Sequence, residues 1–136
     1  MKKITILLSL VLVFAMAILT GCGSSTSSTE KNFVGTWELK ENETYYLVST
    51  IEKKSDTTYY LTQYVINQKT GNLTQSHKEL IPDEKDKNVL KMSGGSRVII
   101  NNEGKLEILK DKSIFTKKSD KILDINEVSP VPLKNK

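Results

Sequence analysis

The sequence predicts an all-β domain, a small antiparallel meander β-barrel of about eight short strands over residues 33–118. Three observations predict it. Apolar and polar side chains alternate with a period of two, the mark of a half-buried strand. The alternating segments are rich in Tyr, Val, Ile and Thr, which suit a pleated surface. Turn-forming residues separate them at near-regular spacing, and no segment beyond residue 33 shows a sustained helical period.

Ahead of that domain the chain opens Met1-Lys2-Lys3 and then runs from Ile4 to Leu19 without a charged residue. A cationic start followed by an apolar run is the order of a secretory signal, expected as a helical segment over residues 1–21 that is cleaved off. Sixteen helical residues rise about 24 Å at ~1.5 Å each. That falls short of a hydrocarbon core of about 30 Å, although a tilted membrane-spanning anchor is the competing reading. The run ends at Leu19-Thr20-Gly21-Cys22, which holds the chain's one cysteine. This tetrapeptide resembles the lipobox of bacterial lipoprotein signal peptides. The resemblance implies cleavage between Gly21 and Cys22, a diacylglycerol thioether on Cys22 as covalent lipid, and a new amino terminus open to N-acylation. Two acyl chains on one sulfur anchor a protein without a second membrane segment. Cys22 also has no other cysteine with which to form an intrachain disulfide. The implied location is the extracytoplasmic face of a cell membrane.

Cleavage would take 21 of the 136 residues and leave 115; with Lys2 and Lys3 gone, the basic count falls from 20 to 18 against 16 acidic. Arg97 is the single arginine, and the lysines are interleaved with Glu and Asp. A nucleic-acid partner calls for a clustered basic face, so nucleic acid is not expected. Residues 22–32 read as the lipidated cysteine and a linker. Its stretch Gly23–Asn32, GSSTSSTEKN, has no apolar residue to bury and is expected to be flexible coil with a mean reach of about 17 Å. Tethers of this composition resemble those of Gram-positive lipoproteins.

The strands follow in order. In FVGTWELK, Phe33, Gly35, Trp37 and Leu39 share one face. Thr44–Glu52 and Thr58–Asn67 are the Tyr-, Val-, Ile- and Thr-rich pair, joined by Lys53-Lys54-Ser55-Asp56. Gly71 in KTGN marks a turn, since glycine accepts positive φ at little cost. Leu73–Ile81 is a fourth strand, stopped by Pro82 and the charged loop PDEKDKN. Val89–Met92, Arg97–Asn101, Lys105–Leu109 and Ser113–Lys117 complete the set, the first three parted by SGGS and NNEG. Residues 119–136 are read as a tail in which Ile122, Leu123 and Ile125 form either one more edge strand or a short docked segment, with the last residues extended and frayed near Pro130 and Pro132.

FVGTWELK and the closing LEILKDKSIFTKK together resemble the first and last strands of small bacterial lipocalin-like lipoproteins. That likeness implies a barrel in which Gly35 and Trp37 close the base, with the Trp set against a later basic residue. It also suggests a carrier of a small apolar ligand. The chain is much shorter than a true lipocalin, and Thr62 and Gln63 interrupt both faces of the central strand with polar side chains.

Catalysis is not expected. His77 is the one histidine and Cys22 is committed to lipid, so the groups most readily tuned near neutral pH are scarce. His77 with Glu79 makes no zinc site, which takes three or four ligands. Asp83, Glu84 and Asp86 lack the glycine and terminal glutamate of a calcium loop. SGGSR, Ser93 to Arg97, precedes no helix that could hold a phosphate. No metal and no cofactor beyond the lipid are expected. The remaining class is a non-catalytic interaction module at the cell envelope. Its candidate binding surface is Tyr45, Tyr59 and Tyr64, and its partner an envelope or host protein, a glycan, or the small apolar ligand of the carrier alternative. Tyrosine is enriched at binding surfaces.

Overall fold

The computed structural model describes residues 27–134. The signal segment, Gly21 and Cys22 lie outside the described residues. The elements run α1 (Ser28–Phe33), β1 (Gly35–Lys40), β2 (Tyr45–Ser55), β3 (Thr58–Asn67), β4 (Leu73–Pro82), β5 (Val89–Met92), β6 (Arg97–Ile100), β7 (Leu106–Ile108), β8 (Ser113–Ser119) and α2 (Ile125–Val128). Each strand pairs antiparallel with its chain neighbours, and β8 returns to β1, closing an eight-stranded barrel. The expected all-β meander barrel is therefore the architecture. Closure leaves no outermost strand for another chain to extend along its full length.

The interior is filled. Trp37, Tyr59, Leu61, Leu90, Leu106 and Phe115 are each at most 1 % exposed and form one cluster. A barrel of eight strands has an interior that side chains of this size can occupy.

Two segments read from sequence as loose are built into the fold. Ser28–Asn32, expected as flexible linker, is helical, and Phe33, expected to open the first strand, ends α1 with its ring fully buried. Ser27 caps α1, its hydroxyl accepting from Glu30 N at 3.1 Å. Lys53 Nζ lies 2.8 Å from Glu30 Oε2, and Asn32 Nδ2 donates to Asn88 Oδ1 at 2.7 Å, so α1 is pinned to β2 and to the loop before β5. It closes the barrel end at which β1 begins. We call this end the base.

Residues 119–134, readable from sequence as an edge strand or a docked segment at the start and expected to fray at the end, form a docked strap along the outside of β1–β3. Thr36 Oγ1 donates to Lys121 O (2.8 Å) and accepts from Leu123 N (2.9 Å), fastening its start. Asp124 then makes a reciprocal capping box with Glu127 at α2. Val128 packs with outward-facing Val48 and Ile66, joined by Tyr46, Tyr64, Leu123 and Val131, as a second core outside the barrel. At the far end Lys134 N donates to Gly71 O at 3.0 Å. The prolines hold this strap extended rather than loosening it.

Candidate functional site

Strand length creates the site. β2, β3 and β4 have 11, 10 and 10 residues, whereas β5, β6 and β7 have 4, 4 and 3. β4 pairs with β5 only through Leu80, Ile81 and Pro82. Beyond Leu80 the earlier half of β4 has β3 on one side and no strand on the other. At the end opposite α1 the barrel thus has a tall wall from β2–β4 and a low one from β5–β7, and this end is its mouth.

Interior side chains change character toward the mouth. Cross-strand register puts Trp37, Ser49, Gln63 and Ser76 in one row on the inner face. The row nearer the base holds Gly35, Ile51, Leu61 and Lys78. The polar end of these rows meets the loop after β7. There Lys112 takes φ 54°, a left-handed conformation uncommon outside glycine. Two concavities result. A smaller cavity of about 190 Å³ lies among Ser49, Gln63, Ser76, Asp111 and Ser113, with apolar Leu47, Val65 and Phe115 also lining it. A broader groove of about 670 Å³ lies between Lys78 of β4, the Met92–Arg97 turn, and Leu109 and Lys110. Ser49 Oγ and Ser96 Oγ, one in each, are buried without a hydrogen-bond partner among the described residues. Buried hydroxyls are normally paired, so these two donors are unused by the fold.

The base is built differently. Trp37 is 1 % exposed, its Nε1 donates to Phe33 O at 2.9 Å, and Lys117 Nζ of β8 stands 5.1 Å from the ring centroid. That spacing is a cation–π contact. Gly35, at φ 142°, lies against Ser119 O, where a side chain would overlap the backbone. Gly35 and Trp37 both sit at this closed end.

The tyrosines do not form one surface. Tyr59 points inward and is 1 % exposed, which corrects its expected place on a binding face. Tyr64 points outward but lies beneath the strap, and burial, then Asp124 and Glu52, push its phenol pKa up. Tyr46 is held there too, donating to Glu38, which also receives Lys118 Nζ at 3.1 Å. Burial first, and then Glu38, raise its pKa strongly. Tyr45 and Tyr60 are exposed. Tyr60 pairs with Glu52, seven residues along β2 from Tyr45, so they stand roughly 23 Å apart at ~3.3 Å per residue.

His77 faces outward, bonded to Thr62 Oγ1 through Nδ1 and to Gln75 through Nε2, both at 3.0 Å. It is on the opposite face of β4 from Ser76 and Lys78. Glu79 is exposed beside it. Asp83 closes its own turn, accepting from Lys85 N and Asp86 N, and pairs with Lys91 Nζ at 2.9 Å. Lys91, with those two amides, pushes its pKa down to about 2. Glu84 and Asp86 are exposed. Among the described residues no group of three His, Cys, Asp or Glu side chains comes together as a metal would need.

Sequence reasoning passed over Lys78 and Lys110, and it set Ser96 aside with the SGGSR turn because no helix follows it. The signal was present for Lys78, whose parity along β4 matches Leu80 and opposes His77. For Lys110 the signal was absent, because loop residues carry no periodicity. No protein-family model, curated protein or solved structure matches this chain.

Proposed function

We propose that this chain is a lipid-anchored, extracytoplasmic lipoprotein whose barrel acts as a non-catalytic binding module, with its mouth presented away from the membrane. The position of α1 carries the reading. Cys22, the residue that resembles a lipidation site, precedes the α1 cap Ser27 by five residues. Five residues span at most about 18 Å, and α1 closes the base. A lipid on Cys22 therefore holds the base toward the bilayer and leaves the mouth facing outward. The residues at the mouth offer hydroxyls, an amide, ammonium groups, a guanidinium and the Asp111 carboxylate beside apolar Leu47, Val65, Met92 and Leu109, which suit holding a ligand. The lone imidazole is on the outer face.

The test uses cells making the full chain. Labelled palmitate enters the wild-type protein and not Cys22→Ala, and a membrane-impermeant maleimide modifies Ser93→Cys, in the mouth turn, on intact cells. An unlabelled wild-type protein, or a Ser93→Cys thiol that reacts only after lysis, refutes the reading.

A second reading, a lipocalin-like carrier of a small apolar ligand, is favoured by one observation: Lys117 over Trp37 beside Gly35, as the resemblance implies. The filled interior weighs against it. The cavity of about 190 Å³ is smaller than the roughly 300–1,000 Å³ of ligand pockets, and its walls mix Ser49, Gln63, Ser76 and Asp111 with Leu47, Val65 and Phe115. A lipid adduct on the protein in native mass spectrometry, absent from a Leu47→Trp variant that fills the mouth, would favour the carrier.

A further inference from the structure

We infer that the groove at the barrel mouth is an anion site that takes a small soluble organic phosphate. The inference rests on the mouth as a binding site, not on the anchor at Cys22. Three cationic residues, Lys78, Arg97 and Lys110, line the groove, and no carboxylate does. Six lysines on or beside the strands are matched, Lys53 with Glu30, Lys54 with Glu52, Lys91 with Asp83, Lys105 with Glu103, Lys117 with Asp120 and Lys118 with Glu38, whereas Lys40 of β1 is not matched among the described residues. None of the three groove cations has such a partner among the described residues. Like charges gathered around one concavity repel each other and raise its potential for an anion.

The groove has the other parts of an oxyanion site. Ser96 Oγ is a buried donor that no protein acceptor uses. Gly94 and Gly95 hold φ values of 97° and 90°, and nothing stands within 4 Å of where their side chains would be. The turn thus leaves its backbone open to close approach by a ligand. Arg97 supplies a planar fork that matches two phosphate oxygens, and the two lysines act as point charges. Met92 and Leu109 add an apolar wall for the organic part. The groove's volume, about 670 Å³, falls within the range of small-molecule sites. A phosphate ester, with a charge of nearly two and several acceptor oxygens, uses all of these groups together.

The probe is pyrophosphate, titrated into the full chain in non-ionic detergent and followed by calorimetry. We expect saturable binding that weakens as salt rises. Arg97→Gln and Lys110→Gln should each weaken it by about ten-fold, the scale of a lost charge-assisted hydrogen bond. Lys91→Gln, whose native partner is Asp83 outside the groove, should leave it within about two-fold, at the level of surface screening. Arg97 and Lys110 are exposed, so neither substitution threatens folding. No saturable heat up to about 10 mM pyrophosphate, where affinity is under roughly 3 kcal/mol, overturns the inference. Equal weakening by Lys91→Gln and Arg97→Gln overturns it too, because binding would then follow overall charge. Tighter binding of citrate than pyrophosphate overturns the phosphate assignment. Binding by a Cys22→Ala chain separates this result from that of the anchor.

Discussion

Replacing Thr36 by valine tests whether the strap belongs to the folded unit. Thr36 is fully buried on the outer face of β1. Its hydroxyl makes both hydrogen bonds that fasten the strap, to Lys121 O at 2.8 Å and from Leu123 N at 2.9 Å. Valine keeps the β-branched shape and the strand preference, so the perturbation is confined to the hydroxyl. Each bond contributes about 1 kcal/mol net, which sets the loss at roughly 2 kcal/mol. Residues 27–134 number 108. At an unfolding entropy of about 2.1 cal/mol/K per residue, that loss lowers Tm by about 9 °C. Guanidinium unfolding measures the free energy, and amide exchange locates it: the amides of Leu123 and Ser129 should exchange faster than those of β2 and β3. A free energy within about 0.5 kcal/mol of wild type, which is the ordinary range for surface changes, would refute the reasoning if strap exchange were also unaltered. The strap would then be lying on the barrel without stabilising it.

The base and the turn before β5 give two more expectations. Gly35→Ala would set a methyl group against Ser119 O at a φ of 142°; the strain alone is about 1–3 kcal/mol, and the closure between β1 and β8 should loosen. Guanidinium unfolding and cross-strand contacts between Thr36 and Ser119 check this. Asp83 titrates near 2 rather than 3.8. Because the folded value is the lower one, its pairing with Lys91 stabilises fully above about pH 4, and that stabilisation is lost as pH falls through about 2. In an NMR titration Lys91→Gln should move the Asp83 midpoint upward; an unmoved midpoint would exclude Lys91 as the main cause.

Most strands were legible because alternation and turn chemistry agree along the chain. β2 and β3 were expected at Thr44–Glu52 and Thr58–Asn67, and are found at Tyr45–Ser55 and Thr58–Asn67. α1 was not read, and the docking of the strap was read only as an alternative at Ile122–Ile125, although both carry a signal. Ser27 and Glu30, and Asp124 and Glu127, are each spaced as a capping pair. A helix of four or six residues is too short to show a period. The strap's Leu123, Ile125, Val128, Val131 and Leu133 are apolar, but an irregular segment has no fixed repeat by which to tell docking from fraying. The tyrosine surface failed on parity. Tyr59 and Tyr64 lie five residues apart on one strand, so they face opposite sides. Alternation divides a strand into two faces without saying which is inside. For β3 the inner face is the one shared with Trp37 through Ser49 and Gln63.

The mouth also follows from sequence, through strand length rather than through a motif. PDEKDKN, SGGS and NNEG interrupt the second half of the chain so often that β5–β7 cannot exceed four residues. The first half runs ten or eleven residues between turns. A barrel made from such unequal halves cannot be equally tall on both sides, and the surplus of β2–β4 must stand over a low rim. Side chains on the inner face of that surplus meet water rather than an opposing wall, so Gln63, Ser76 and Lys78 can occupy positions that an apolar core would exclude. The base has the reverse arrangement. There α1 with Phe33 fills the opening. One end is sealed by apolar packing and the other is left open and polar by turn placement. It follows that lengthening β5 and β6, by replacing Gly94-Gly95 with two strand-forming residues, should bury Lys78 and narrow the groove without disturbing the base.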